Sequence, residues 1–175
     1  LGDSQFDNPL GMSTGAADIF ATTGGVMEAA LRTVYEVVTG KELPFDQLHV
    51  KPIMGLSQVK TAEITVEDPK PEFEFLKGVT IKIAVTSGLA GAKQLMEEMA
   101  AGKSPYHFIE VMGCPGGCIS GGGQPRPTNN YVRKKRLEAI YREDEGKAIR
   151  KSHENPFITQ IYEEYLKKPL GHKSH

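Results

Sequence analysis

Residues 112–125 hold both cysteines of the chain, Cys114 and Cys118, four positions apart in a run where six of fourteen residues are glycine. A stretch so poor in side chains cannot fill a core, so its composition must serve something else. Thiolates are soft ligands that suit iron–sulfur clusters or zinc, and glycine lets backbone N–H groups approach a bulky anionic partner. Pro115-Gly116-Gly117 makes a tight turn that can bring both sulfurs to one centre. Gly121-Gly122-Gly123 can then pass close to a bound inorganic group and donate N–H bonds to it. Two thiols make half of an iron–sulfur site, because a cubane cluster normally takes four protein ligands.

Three other readings compete. A redox disulfide is compatible with two thiols, but the usual motif has two intervening residues, and the triple glycine stays unexplained. Structural zinc needs four ligands, and the nearest histidines, His107 and His153, match no common zinc spacing. Two buried structural thiols would not call for six glycines.

Length and charge set the frame. The 175 residues suffice for one domain with a real core, or for a piece of a larger one. With 21 Lys and Arg against 22 Asp and Glu, no global field argues for nucleic acid or membrane binding. No apolar run is long enough to span a bilayer and no signal peptide is visible. These features fit a soluble cytoplasmic protein and leave a periplasmic one open. Leu1 in place of a Met start, an opening 2–9 that reads as a loop, and a tail stopping at residues 171–175 together suggest a piece cut at both ends.

Hydrophobic periodicity orders the rest. The spacing predicts a helix over 25–39, with Val26, Ala30, Val34, Val37 and Val38 on one face and Gly40 as its stop. Its start, among Thr22, Thr23, Gly24 and Gly25, offers N–H groups to an anionic ligand, unless it is simply a capped helix. Residues 48–53 and 59–66 read as short strands, followed by the breaker cluster 67–71. Alternation over 79–85 predicts a half-buried strand. A helix over 89–101 follows, with Leu95, Met96 and Met99 inward, and then a strand over 106–112. Strand, helix, strand at this spacing is a βαβ unit with parallel strands and a right-handed crossover. The expected fold class is therefore α/β, a βαβ unit in a mixed sheet flanked by helices. Cys114 falls at the carboxyl end of its last strand, where ligand sites in such sheets collect. Helices over 130–145 and 156–166 complete the chain. The basic cluster Arg133-Lys134-Lys135-Arg136 is followed by acids and reads as a solvated face. None of the five histidines has the spacing of a general base, and surface roles are expected for them.

The run Phe108-Ile109-Glu110-Val111-Met112-Gly113-Cys114-Pro115-Gly116-Gly117-Cys118, followed by Gly121-Gly122-Gly123-Gln124-Pro125, resembles the third cluster-binding signature of iron-only (diiron) hydrogenases. Ile19-Phe20-Ala21-Thr22-Thr23-Gly24-Gly25-Val26-Met27-Glu28-Ala29-Ala30-Leu31-Arg32 is similar to the segment lining the active-site cavity in that family. Ser152-His153-Glu154-Asn155-Pro156 and the residues 171–175 are similar to its C-terminal tail. The resemblance implies that the chain is the C-terminal portion, about half, of a two-lobed H-cluster catalytic domain. The implied cofactor is a 4Fe-4S cubane joined to a diiron unit carrying CO, cyanide and an azadithiolate bridge.

By motif position, Cys114 would ligate the cubane and Cys118 would bridge cubane and diiron unit. Met112 and Phe20 would pack against the diiron unit. Thr22, Thr23, Gly24, Gly25, Gly117 and Gly121 would line the cofactor. The implied reaction is reversible, two protons and two electrons giving H2. The implied partners are the N-terminal remainder of the domain, with two further cysteine ligands, and an electron carrier: ferredoxin, accessory iron–sulfur domains or NAD(P)-linked subunits. With two of four cubane ligands, these 175 residues alone are expected to evolve no hydrogen. The chain departs from the family pattern at Met12, often Glu, and at Ala21 and Gly113, more usually Gly and Ala. The rival class is a non-catalytic relative used in iron–sulfur assembly, or a sensory hydrogenase. Gly116 and Pro125 favour the hydrogenase.

Overall fold

A computed structural model describes residues 2–5, 11–169 and 171–174. The expected opening loop falls partly outside these residues, as do Leu1 and His175 at the two ends. Eight regular elements follow in order: α1 (Gly15–Ile19), α2 (Gly25–Thr39), β1 (Val59–Thr65), β2 (Thr80–Ser87), α3 (Leu89–Ala100), β3 (Phe108–Met112), α4 (Asn130–Gly146) and α5 (Pro156–Ile161). A π-helical turn over Tyr162–Leu166 extends α5.

The three strands form one mixed sheet in the order β1-β2-β3. β1 runs antiparallel to β2, and β2 runs parallel to β3. β2, α3 and β3 are thus the expected βαβ unit, and the fold class is α/β. The alternation expected for β2 does not appear, since Thr80, Ile81 and Lys82 are all partly buried. Ile83, Ala84, Val85 and Thr86 are all fully buried, because β2 is central and its second half is covered on both faces.

The 48–53 strand does not form. Two 3₁₀ turns, Asp46–Leu48 and Lys51–Ile53, occupy that stretch instead. Val50 and Ile53 are buried, but Pro52 lacks an N–H for a ladder, so the segment plugs the core as a coiled lid.

Helix α2 lies between two small cores. Met27 and Leu31 join Leu43, Val50, Ile53, Ala62, Ile64, Ile83 and Val85 on the sheet side. Ala29 joins Ala16, Ile19, Ile119, Leu137 and Tyr141 on the other. The buried face is therefore not the expected one: Val34 and Val37 are about half exposed, and Ala30 is exposed. The reason is electrostatic. Glu28 and Arg32 are fully buried together, and Arg32 clamps the Asp144 carboxylate of α4 at 2.7 and 2.8 Å while holding Glu28 at 2.7 Å. Burial alone would raise the Asp144 carboxyl, but hydrogen bonds from Arg32 and Arg150 hold it below its ordinary value. A charged pair occupies inward positions where a binary pattern places only apolar residues.

His49 belongs to the same network and is not a surface residue. Its Nδ1 lies 3.1 Å from Glu28 and its Nε2 lies 2.9 Å from Glu145. Burial pushes its pKa down, but the two carboxylates prevail and raise it.

On α3, Gly91 and Leu95 form the buried stripe, and Gly91 sits so close to Thr86 that a Cβ has no room. Met96 and Met99, expected inside, are 67% and 56% exposed and line a groove towards β3.

Candidate metal centre

The glycine-rich loop leaves the carboxyl end of β3 and is held there by main-chain geometry. Gly88 N–H donates to Met112 O at 2.8 Å, and Gly116 N–H donates to Ser87 Oγ at 3.3 Å, so the ends of β2 and β3 stay together. The turn between the cysteines closes through Gly117 N–H to Cys114 O at 2.9 Å. Gly116 and Gly117 adopt φ of +82° and +95°, a region costly for any residue with a Cβ. At Gly117 a Cβ would also lie 2.8 Å from Ala21 O and from Thr23 N.

That contact joins the two stretches singled out in the sequence. Thr23 N–H donates to Gly116 O at 3.0 Å, and Ile119 N–H donates to Ala21 O at 3.1 Å. Ile119, 3% exposed, anchors the loop in the α1–α4 core. From α4, Arg136 donates to Ile119 O and Pro125 O at 2.8 and 2.6 Å, and Arg133 to Ser120 Oγ at 2.9 Å. Half of the basic cluster thus ties down the glycine loop. It is not merely a solvated face.

Both cysteines are exposed free thiols, which contradicts the buried-thiol reading. Gly121 presents its bare Cα towards Cys114, where a Cβ would stand 3.7 Å from Sγ. A cavity of about 230 Å³ beside Cys118 is lined by Ala21, Gln124 and Arg136 among others. Phe20 is 46% exposed and Met112 is partly exposed, both on segments adjoining the thiols. The zinc arrangement does not assemble. His107 accepts from Lys82 N–H, and His153 lies beside Glu36 and Glu154, the two carboxylates that also pair with Lys151. Among the described residues no group of three metal-capable side chains includes a cysteine.

Thr22, Thr23, Gly24 and Gly25 are all buried behind the cysteine loop. Their amides are not free for a ligand. Gly24 N–H and Met27 N–H donate to the two oxygens of Glu110 at 2.6 and 2.7 Å, and Gly25 N–H donates to Thr22 O. The start of α2 is a capped helix whose anion is a side chain of β3. Gly24, at φ +97°, packs so closely that a Cβ would meet Ile53 O at 2.5 Å.

Sequence reasoning missed Glu110 and Lys60. Lys60 is 5% exposed and donates to Thr23 O and Gly55 O, each at 2.9 Å. Burial lowers its pKa to about 8, with Glu110 pulling the other way. The signal was present: Lys60 shares an inward face with Ala62 and Ile64, and Glu110 breaks an otherwise apolar strand.

Comparison with known proteins gives the family. Residues 1–122 match the family model described as iron only hydrogenase large subunit, C-terminal domain, and residues 130–175 match iron hydrogenase small subunit. The chain is 47% identical over its full length to NADP-reducing hydrogenase subunit HndD of Solidesulfovibrio fructosivorans, covering 28% of that protein. It is 49% identical over 125 residues, 71% of its length, to the periplasmic Fe hydrogenase large subunit of Nitratidesulfovibrio vulgaris, covering 27% of that protein. A probable cytosolic Fe-S cluster assembly factor of Drosophila mojavensis is 31% identical over 81% of the chain and 26% of its own length. The solved FeFe-hydrogenase HydA1 from Chlamydomonas reinhardtii superposes over the whole chain with a TM-score of 0.73 at 42% identity, and the chain spans 48% of it. The chain spans less than a third of these curated relatives and about half of the solved enzyme. By its family model and its fold, it belongs to the iron-only hydrogenase large-subunit family.

Proposed function

We propose that this chain is the C-terminal portion of the H-cluster domain of an iron-only hydrogenase, supplying two of the cluster's protein ligands. The observation that carries the reading is the pair of exposed free thiols, Cys114 and Cys118, on a loop stripped of side chains at the end of a parallel strand. The residues fit the group. Soft thiolates are the donors an iron–sulfur centre takes, and the missing Cβ of Gly121 leaves room beside Cys114 Sγ. Cys114 would hold the cubane and Cys118 would bridge it to the diiron unit. When bound, the cluster supplies the redox chemistry that interconverts protons, electrons and H2.

The chain's own residues do the rest. Gly116 and Gly117 set the turn between the thiols, and Ile119 and Arg136 fix where the loop stands. Met112 and Phe20 supply apolar surface that keeps water away from the centre. Thr22, Thr23, Gly24 and Gly25 back the loop through their main chain. Two further thiolates come from the part of the domain outside this chain. Electrons arrive from a ferredoxin, an accessory iron–sulfur domain or an NAD(P)-linked subunit. The similarity to a subunit named NADP-reducing supports the last of these. The compartment in this reading is the cytoplasm, and cell fractionation tests it against the periplasm. Among the described residues no helix is long and apolar enough to cross a membrane.

The iron–sulfur assembly reading has weaker support, at 31% identity against 47% for a hydrogenase subunit. Cys118→Ser in the intact gene product separates the two. The expected result is loss of the CO and cyanide infrared bands of the diiron unit. Unchanged bands would remove Cys118 from its bridging role, and their absence from the wild-type protein would favour the assembly class. The 175-residue chain alone is expected to yield no H2 from reduced methyl viologen, and sustained evolution would overturn the shared-ligand reading.

A further inference from the structure

One cross-strand row on the sheet face beneath α2 is not apolar. Lys60 of β1 pairs with Val85 of β2, and Val85 pairs with Glu110 of β3, so the three side chains share one face. Val85 is fully buried, and the two charged residues are 5% and 9% exposed. Strands two apart are separated by about 10 Å, too far for a direct ion pair between residues in register.

What lies between them is a single peptide group. Lys60 Nζ donates to Thr23 O at 2.9 Å, and Glu110 Oε1 accepts from Gly24 N–H at 2.6 Å. That carbonyl and that N–H belong to the same amide. An ammonium grips one pole of its dipole and a carboxylate grips the other, both inside the protein, where such bonds are strong and reinforce each other. Burying a lysine with no carboxylate in hydrogen-bond contact is costly, and an apolar residue at position 60 would serve packing better. The adjoining N–H, that of Thr23, then donates to Gly116 O inside the cysteine turn.

We propose that Lys60 and Glu110 are positioning residues of the cluster site. They lock the Thr23–Gly24 peptide and, through the bond from Thr23 to Gly116, set the turn that presents Cys114 and Cys118. Neither residue touches the thiols. The assignment of a cluster here rests on the hydrogenase reading, but the clamp itself does not.

The test is hydrogen exchange followed by mass spectrometry on the intact gene product, comparing Lys60→Met and Glu110→Gln with the wild type. Ile83→Val, in the same core but outside the row, serves as a destabilised control. Peptides covering 20–28 and 113–121 are expected to exchange roughly tenfold faster in both clamp variants, while 80–87 keeps its protection. In metal-loaded protein, iron content should stay near the wild-type value while the cluster's infrared bands shift. Faster exchange in 20–28 with an unchanged 113–121 would overturn the link to the cysteine turn. A uniform rise across all peptides, as in the control, would reduce the row to a structural role. Wild-type protein that takes up no iron would defeat the hydrogenase reading, and the exchange comparison, which needs no metal, would still decide the clamp.

Discussion

The buried charges under α2 and the thiols at the end of β3 are handled in opposite ways. Arg32 makes four hydrogen bonds to Glu28, Asp144 and Arg150 O, in a site closed to solvent. Cys114 and Cys118 stand exposed, on a loop held by main-chain hydrogen bonds and by the buried Ile119 side chain. The first region couples α2 to α4 and holds the scaffold. The second leaves its reactive atoms unengaged and relies on that scaffold for shape. Stability and the proposed chemistry thus fall on different residues, which makes the difference open to experiment.

The largest expected effect is at Arg32. Arg32→Met leaves Glu28 with His49 and Asp144 with Arg150 as their remaining charged partners and should cost about 3 kcal/mol in urea unfolding, while native-state thiol titration still finds two reactive cysteines. A loss below about 1 kcal/mol would mean that the network is not what joins α2 to α4.

Lys60 gives a pH signature. Its folded pKa, about 8, lies below the 10.5 of a free lysine, so the unfolded chain binds the extra proton between those values. Stability should therefore rise from pH 8 to 10.5, by on the order of 3 kcal/mol relative to Lys60→Met. Parallel stability curves for the two proteins would show that Lys60 is not charged and buried as described.

A smaller effect separates glycines within the loop. Gly117→Ala introduces a Cβ at φ +95° against the Ala21–Thr23 main chain and should cost about 1–3 kcal/mol, with weaker iron uptake. Gly122→Ala, where a Cβ meets nothing within 4 Å, should change stability by less than about 0.5 kcal/mol. Equal effects at both positions would erase the distinction between the buried and the open arms of the loop.

Much of the fold was legible because it follows hydrophobic period. The apolar runs at 59–66 and 79–85, the helices over 25–39 and 89–101 and the length of 106–112 lead to the βαβ unit and to Cys114 at a strand end. The alternation expected over 79–85 is nevertheless lost where β2 is buried on both faces. Reading by period failed where charge is buried. Glu28 and Arg32 turned the inward face of α2 away from Val34 and Val37, and His49 followed them inside. It failed again at 48–53, where Val50 and Ile53 look like strand residues but Pro52 denies them a ladder. The thiols and the glycine turn were visible as chemistry. Glu110 and Lys60 were not, because a lone charge in a strand shows neither its depth nor its partner until register places both on one row.

The main-chain seam between Gly116–Ile119 and Ala21–Thr23 means that the cysteine motif is not portable. A synthetic peptide with the same fourteen letters would carry the sulfurs but not the wall that shapes them. That wall is some ninety positions earlier in the polypeptide, so the pairing exists only in the folded chain. Under the proposed cluster reading, the two sulfurs take up metal only once both stretches are folded against each other.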